Sequence, residues 1–121
     1  MNYCKILVVD DSKTDLINLK SMLEGANFEV TTASSGEEAI KKAETDNPNL
    51  ILLDIVMEGI DGYRACREIT QNPKTSHIPV IFVSSKKQRA DLMWAMKQGG
   101  KGLVSKPYTK DQIMEQIETY S

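Results

Sequence analysis

Histidine occurs once in this chain and cysteine twice, too few for a metal site built from imidazole or thiolate ligands. Cys4 and Cys66 have no metal-ligand spacing and cannot form a disulfide framework, so they read as reduced structural thiols. The lone His77 precedes Ile78-Pro79 and reads as a solvated loop residue. No apolar run approaches the roughly 20 residues that a membrane span requires, so no membrane insertion is expected. The opening MNYCKILVV has one lysine before its apolar run and two aspartates behind it, unlike a secretory signal, so cytoplasmic residence is expected. A net charge of −2 without a basic cluster leaves no electrostatic footprint for nucleic acid. Internal repeats, low-complexity tracts and linkers are absent too, so the 121 residues are expected to form a single domain.

What the chain does contain is alternation. Ile6 to Val9, Leu50 to Leu53 and Val80 to Val83 are short, continuous apolar runs, the pattern of strands covered on both faces. Helical stripes lie between them: Leu16, Leu19, Met22 and Leu23, then Ala39, Ile40 and Ala43, and finally Ile113 and Ile117. Ser35 with Glu38 and Thr109 with Gln112 have capping-box spacing, and Asn27, Asn47-Pro48, Asn72-Pro73 and Gly99-Gly100 mark breaks. The spacing predicts strands over 4–9, 29–33, 50–53, 79–83 and 102–105, and helices over 13–25, 36–46, 62–70, 88–98 and 110–119. Five βα units imply an α/β fold, a parallel sheet with helices on both faces and right-handed crossovers.

Open parallel sheets bind ligands beyond the carboxyl ends of their strands. At those ends stand Asp10 and Asp11, then Asp54, then Ser84 and Ser85, then Lys106-Pro107. Singly, each has a plain explanation: a helix cap for Asp10, Asp11 or Ser12, a turn for Asp54, a solvated charge for Lys106. Gathered at one edge, three carboxylates repel, and a cation is needed to offset them. Oxygen ligands without a histidine or cysteine cluster point to Mg²⁺, which takes one or two carboxylates and leaves room for phosphate oxygens. Lys106 then serves as a positive charge for a phosphoryl group, Ser84 as a hydrogen-bond donor to it, and Asp54 as the central candidate nucleophile.

ILVVDDS at 6–12, LILLDIVMEGIDG at 50–62, PVIFVSS at 79–85 and GLVSKP at 102–107 together resemble the receiver domains of bacterial two-component response regulators. The resemblance implies a flavodoxin-like three-layer αβα sandwich whose five-stranded parallel sheet runs in the order 2-1-3-4-5, with five helices. It implies that Asp54 accepts a phosphoryl group from a phosphohistidine on a histidine kinase or histidine phosphotransfer domain. Asp11, Asp54 and the backbone carbonyl of Val56 would hold Mg²⁺, with Asp10 acting partly through water. Lys106 would neutralise phosphoryl charge, Ser84 would follow the phosphoryl group, and Lys106-Pro107 is a cis candidate. The chain would catalyse only its own phosphorylation and dephosphorylation, and signal through a conformational change to a downstream protein target. It is expected to be a monomer, with a phosphorylation-dependent dimer as the alternative.

Several positions depart from the commonest receiver pattern. Glu58 stands where proline is usual, so a φ restraint is lost and a negative charge gained near the acidic edge. Leu103 replaces an aromatic residue, so a swinging ring cannot couple to Ser84, and output is expected to use helix four. Ser85 stands where alanine or glycine is common, and Val56 with Lys86 is expected to border the route of attacking water. In that helix Leu92 and Met96 are expected to line the core while Trp94 covers an edge, with Met93, Trp94 and Leu103 as a partner surface in the competing reading.

The stretch DIVMEGIDGYRACREIT, together with SHIPVIFVSSK and the Lys-Pro of SKPYT, looks most like the PilH-type regulators of type IV pili and twitching motility, and the chain is expected to act as a single-domain regulator. A flagellar chemotaxis regulator, a phosphorelay intermediate or a phosphate sink is the alternative. An Asp-nucleophile phosphatase fits less well, because Asp10 and Asp11 are adjacent rather than a D-x-D pair. A degenerate receiver acting only as a scaffold would lack an acid or the lysine.

Overall fold

A computed structural model describes residues 4–85 and 92–120. Its elements alternate strand and helix: β1 (Lys5–Val9), α1 (Lys13–Gly25), β2 (Glu29–Ala33), α2 (Gly36–Asp46), β3 (Leu50–Asp54), α3 (Gly62–Gln71), β4 (Val80–Ser84), α4 (Leu92–Lys97), β5 (Gly102–Ser105) and α5 (Lys110–Tyr120). All pairings are parallel, in the order β2-β1-β3-β4-β5. This is the expected fold, and the expected cis bond at Lys106-Pro107 is present.

The pleat sorts the central strands into two cores. Ile6, Val8, Leu50, Leu52, Ile81 and Val83 face one way, packing with Leu19 and Leu23 of α1 and Ile113 and Ile117 of α5. Leu7, Val9, Ile51, Leu53, Val80 and Phe82 face the other way, against Ala39 and Ala43 of α2, Ala65, Cys66 and Ile69 of α3, and Ala95 of α4. Both faces of β1, β3 and β4 are therefore buried, which is why their sequences run apolar without alternation.

Helix starts are fixed by side-chain oxygens. Ser12, Ser35 and Asp61 accept from the backbone N–H groups of Asp15, Glu38 and Arg64. At Thr109 the capping box closes fully, since Thr109 N–H donates to Gln112 and Gln112 N–H donates to the Thr109 hydroxyl. At Ser35 only one arm closes as expected: the Glu38 carboxylate reaches one residue further back and accepts from the Ser34 backbone N–H at 2.8 Å. That bond holds the Glu38 carboxyl below the usual carboxylate range, with the Ser34 hydroxyl and Lys42 assisting.

Two expectations need correction. Strands three and four reach one residue beyond 50–53 and 79–83, so Asp54 and Ser84 close their strands rather than follow them. Pro79 lacks an N–H, yet its carbonyl accepts from Ile51, so it borders β4 without joining it. In α4, Leu92 and Met96 do not line the core: they are 49% and 55% exposed, and Ala95 is buried instead. Just after α4 the backbone passes so close to Phe82 that a Cβ at Gly100 would lie 2.5 Å from the ring, leaving no room there even for a methyl group. Residues 88–91, the expected first turn of this helix, lie outside the described residues.

Candidate functional site

The carboxyl ends of β1, β3 and β5 converge on an acidic cluster. Asp10, Asp11 and Asp54 each offer an oxygen, all lying within 4.8 Å of one another. Asp10 and Asp54 are buried, whereas Asp11 is exposed. Because Ser12 caps α1, Asp10 and Asp11 are released from that task, although Asp10 also accepts from the Ser12 backbone N–H at 2.9 Å.

Lys106, directly after β5, reaches into this cluster. Its Nζ donates to Asp10 Oδ2 at 2.8 Å and to Asp15 Oδ2 at 3.0 Å, and lies 3.8 Å from Asp54 Oδ2. Asp54 Oδ1 accepts from its neighbour's backbone N–H, that of Ile55, at 2.9 Å. Ser84 is buried beside these strand ends, and its hydroxyl donates to the Ser85 carbonyl at 3.3 Å.

Electrostatics follow from this crowding. Burial, and then the charge of Asp10, push the Asp54 carboxyl up to about 7 against the attraction of Lys106. For Lys106 burial disfavours the charged form, but hydrogen bonds to Asp10 and Asp15, with the nearby Asp54 and Asp10 charges, outweigh it and hold the ammonium above ordinary lysine. A carboxyl driven toward protonation beside a lysine that is already charged marks a site short of positive charge. The three-acid oxygen set therefore fits a hard cation, and the cluster could hold a metal ion.

The loop after β3 brings a third element in. Glu58 donates its backbone N–H to Asp11 Oδ2 at 3.2 Å, a bond that proline at this position could not make. The departure at 58 thus supplies a donor to the acidic edge rather than only a charge. Gly62 opens α3 directly against the end of β3: its N–H donates to the Ile55 carbonyl at 2.7 Å, and a Cβ there would lie 2.1 Å from the Asp54 carbonyl oxygen.

Sequence reading did not select Asp15, Gly62 or the Glu58 N–H. An acidic residue in the first turn of α1 reads as a complement to the helix dipole, and its lysine partner lies 91 residues away. The signal for Gly62 was its place directly after the Asp61 cap.

Other expected residues fall as follows. Val56 is exposed on the loop after Asp54, while Lys86 lies outside the described residues. Met93 and Trp94 are exposed on α4, and Leu103 is half-buried against the core beneath. Trp94 meets the Tyr63 ring edge-on at 6.4 Å between centroids, and Tyr63 in turn meets Phe82 at 5.1 Å. Cys4 and Cys66 are free, and burial raises both thiols, Cys66 to about 12, as expected of structural residues. His77 is exposed, with its ring nitrogen 3.2 Å from Asn47 Oδ1. Among the described residues no helix is long and apolar enough to cross a membrane.

Comparison with known proteins agrees with this geometry. The response regulator receiver domain family model matches residues 6–118. Protein PilH of Pseudomonas aeruginosa is 37% identical, over 93% of this chain and 93% of that protein. Protein PilG of the same organism is 33% identical, over 96% of this chain and 86% of that protein. A response regulator receiver domain structure from Clostridium thermocellum superposes with a TM-score of 0.87 at 32% identity, covering 97% of this chain and 93% of the other. With the fold, the strand-end acids and these likenesses in agreement, the chain belongs to the response regulator receiver domain family.

Proposed function

We propose that this chain is a single receiver unit that takes a phosphoryl group on Asp54 and signals to a protein partner, in a chemotaxis-like pathway controlling type IV pili and twitching motility. The observation that carries the reading is the meeting of Asp10, Asp11, Asp54 and Lys106 at one sheet edge. Its likeness to PilH and PilG supports the choice of pathway.

The donor is a phosphohistidine of a histidine kinase or phosphotransfer domain. An Asp54 oxygen forms the new P–O bond as the P–N bond to imidazole breaks, and the imidazole keeps the electron pair and takes up a proton. Asp11, Asp54 and the Val56 carbonyl would hold Mg²⁺, with Asp10 partly through water. Bound there, Mg²⁺ supplies positive charge against the oxygens of the transferring group.

Lys106 adds a second positive charge beside Asp54. Loss of the Ser84 hydroxyl's bond to the Ser85 carbonyl would free it to donate to a phosphoryl oxygen. The altered contacts at Ser84 and Lys106 bias the β4 and β5 ends, and α4 carries the change outward. Met93 and Trp94, exposed there, with Leu103 beneath, form the partner surface. The exposed Val56 side chain borders the water route and shields the acyl phosphate from hydrolysis.

Incubation with Mg²⁺ and acetyl phosphate, followed by intact-mass analysis, tests the reading. One phosphoryl adduct on the wild type and none on Asp54→Ala is the expected result. Turnover of unrelated phosphate esters, or equal labelling of both proteins, would overturn it.

A further inference from the structure

An ammonium group has three N–H donors, and Lys106 directs two of them to carboxylates on different elements. Asp10, at the end of β1, accepts at 2.8 Å, and Asp15, within α1, accepts at 3.0 Å. Only one donor remains, and the nearest further acid is Asp54, at 3.8 Å. That distance is too long for a direct hydrogen bond and leaves the third N–H uncommitted. Without Asp15, two donors would be uncommitted, and the flexible four-carbon stem of lysine could turn about the single bond to Asp10.

We infer that Asp15 is a positioning residue for phosphoryl transfer: as the second anchor of the Lys106 ammonium, it leaves one N–H for an oxygen carried by Asp54. The inference rests on the phosphoacceptor reading of Asp54. Asp15 lies on α1, whose start is fixed by the Ser12 cap, so the anchor is tied to a rigid element rather than to a loop. Its side chain is 44% exposed, against 8% for Asp10, so the pair adds little to fold stability and its consequence lies in orientation. Tyr108 is half-buried close by, where burial raises its phenol, and with Asp15, Lys106 and Pro107 it lines a cavity of about 480 Å³ beside the lysine. Solvent therefore reaches the anchor from the side of the cavity.

The test compares wild type with Asp15→Ala, Asp15→Asn and Asp15→Glu. Initial rates of Asp54 labelling by phosphoramidate are measured at saturating Mg²⁺, together with the ¹H–¹⁵N signal of the Lys106 ammonium in the unlabelled proteins. Asn keeps an oxygen that accepts the N–H but lacks the charge, and Glu keeps both. Anchoring predicts that Ala slows labelling about tenfold and broadens the Lys106 signal, while Asn and Glu restore most of the rate and the signal.

Ala labelled as fast as wild type overturns the inference. Ala and Asn equally slow, with the Lys106 signal retained in both, also overturns it, because charge rather than position then governs the rate. Wild type that takes no label on Asp54 overturns the phosphoacceptor reading itself, a result distinct from both.

Discussion

Replacing Asp54 with asparagine is expected to stabilise the metal-free protein, and to do so more at alkaline than at acidic pH. Asn keeps the side chain's shape and an oxygen for the Ile55 N–H, and stands in for the protonated acid. In the folded chain the Asp54 carboxyl is raised from 3.8 to about 7, first by burial and then by Asp10. The folded state therefore holds this proton more tightly than the unfolded chain does. Linkage then requires stability to fall as pH rises from about 4 through about 7, with the full cost present above that window and none below it. At about 1.4 kcal/mol per tenfold change in proton affinity, the shift corresponds to an upper limit of about 4 kcal/mol, and relaxation around the carboxylate reduces the expected difference to about 2–4 kcal/mol. Urea unfolding of both proteins with a chelator present, at about pH 5 and about pH 8, reads the difference directly. Equal midpoints at both pH values, or a less stable Asn variant at the higher one, would refute the reasoning.

Further predictions follow from the same edge. Mg²⁺ is expected to raise the wild-type unfolding midpoint in proportion to its binding, and to do so far less in Asp11→Asn; thermal melts across a Mg²⁺ titration give the comparison. Glu58→Pro, which removes the N–H that Asp11 accepts, is expected to cost about 1 kcal/mol in urea unfolding, while Glu58→Ala, which keeps it, costs less than about 0.5 kcal/mol. Gly62→Ala sets a methyl group against the Asp54 carbonyl and is expected to destabilise by about 2–3 kcal/mol and to slow labelling of Asp54; calorimetry and intact-mass kinetics measure the two effects.

The layered fold was legible because β1, β3 and β4 are buried on both faces and so carry unbroken apolar runs, while the helices between them keep one stripe each. The strand-end residues were legible for a related reason: a parallel sheet places all its carboxyl ends on one side, so Asp10, Asp54, Ser84 and Lys106 need only stand at the ends of their strands to be neighbours. Packing details were less accessible. Leu92 and Met96 have the spacing of a buried stripe, yet the residue that α4 buries, in the cluster that holds Phe82, is Ala95, whose small side chain carries little hydrophobic signal. The contact of Asp15 with Lys106 joins two distant segments and leaves no periodic trace. Glu58 acts through its backbone, where side-chain identity mattered only in not being proline.

Borohydride reduction of the phosphorylated protein, followed by peptide mass mapping, tests the central claim most directly, because reduction converts an aspartyl phosphate to homoserine. Homoserine at position 54 alone, formed only after treatment with the phosphodonor and Mg²⁺, is the predicted result. Conversion at Asp10 or Asp11 instead, or at no aspartate in a chain that has nonetheless gained a phosphoryl group, would contradict it.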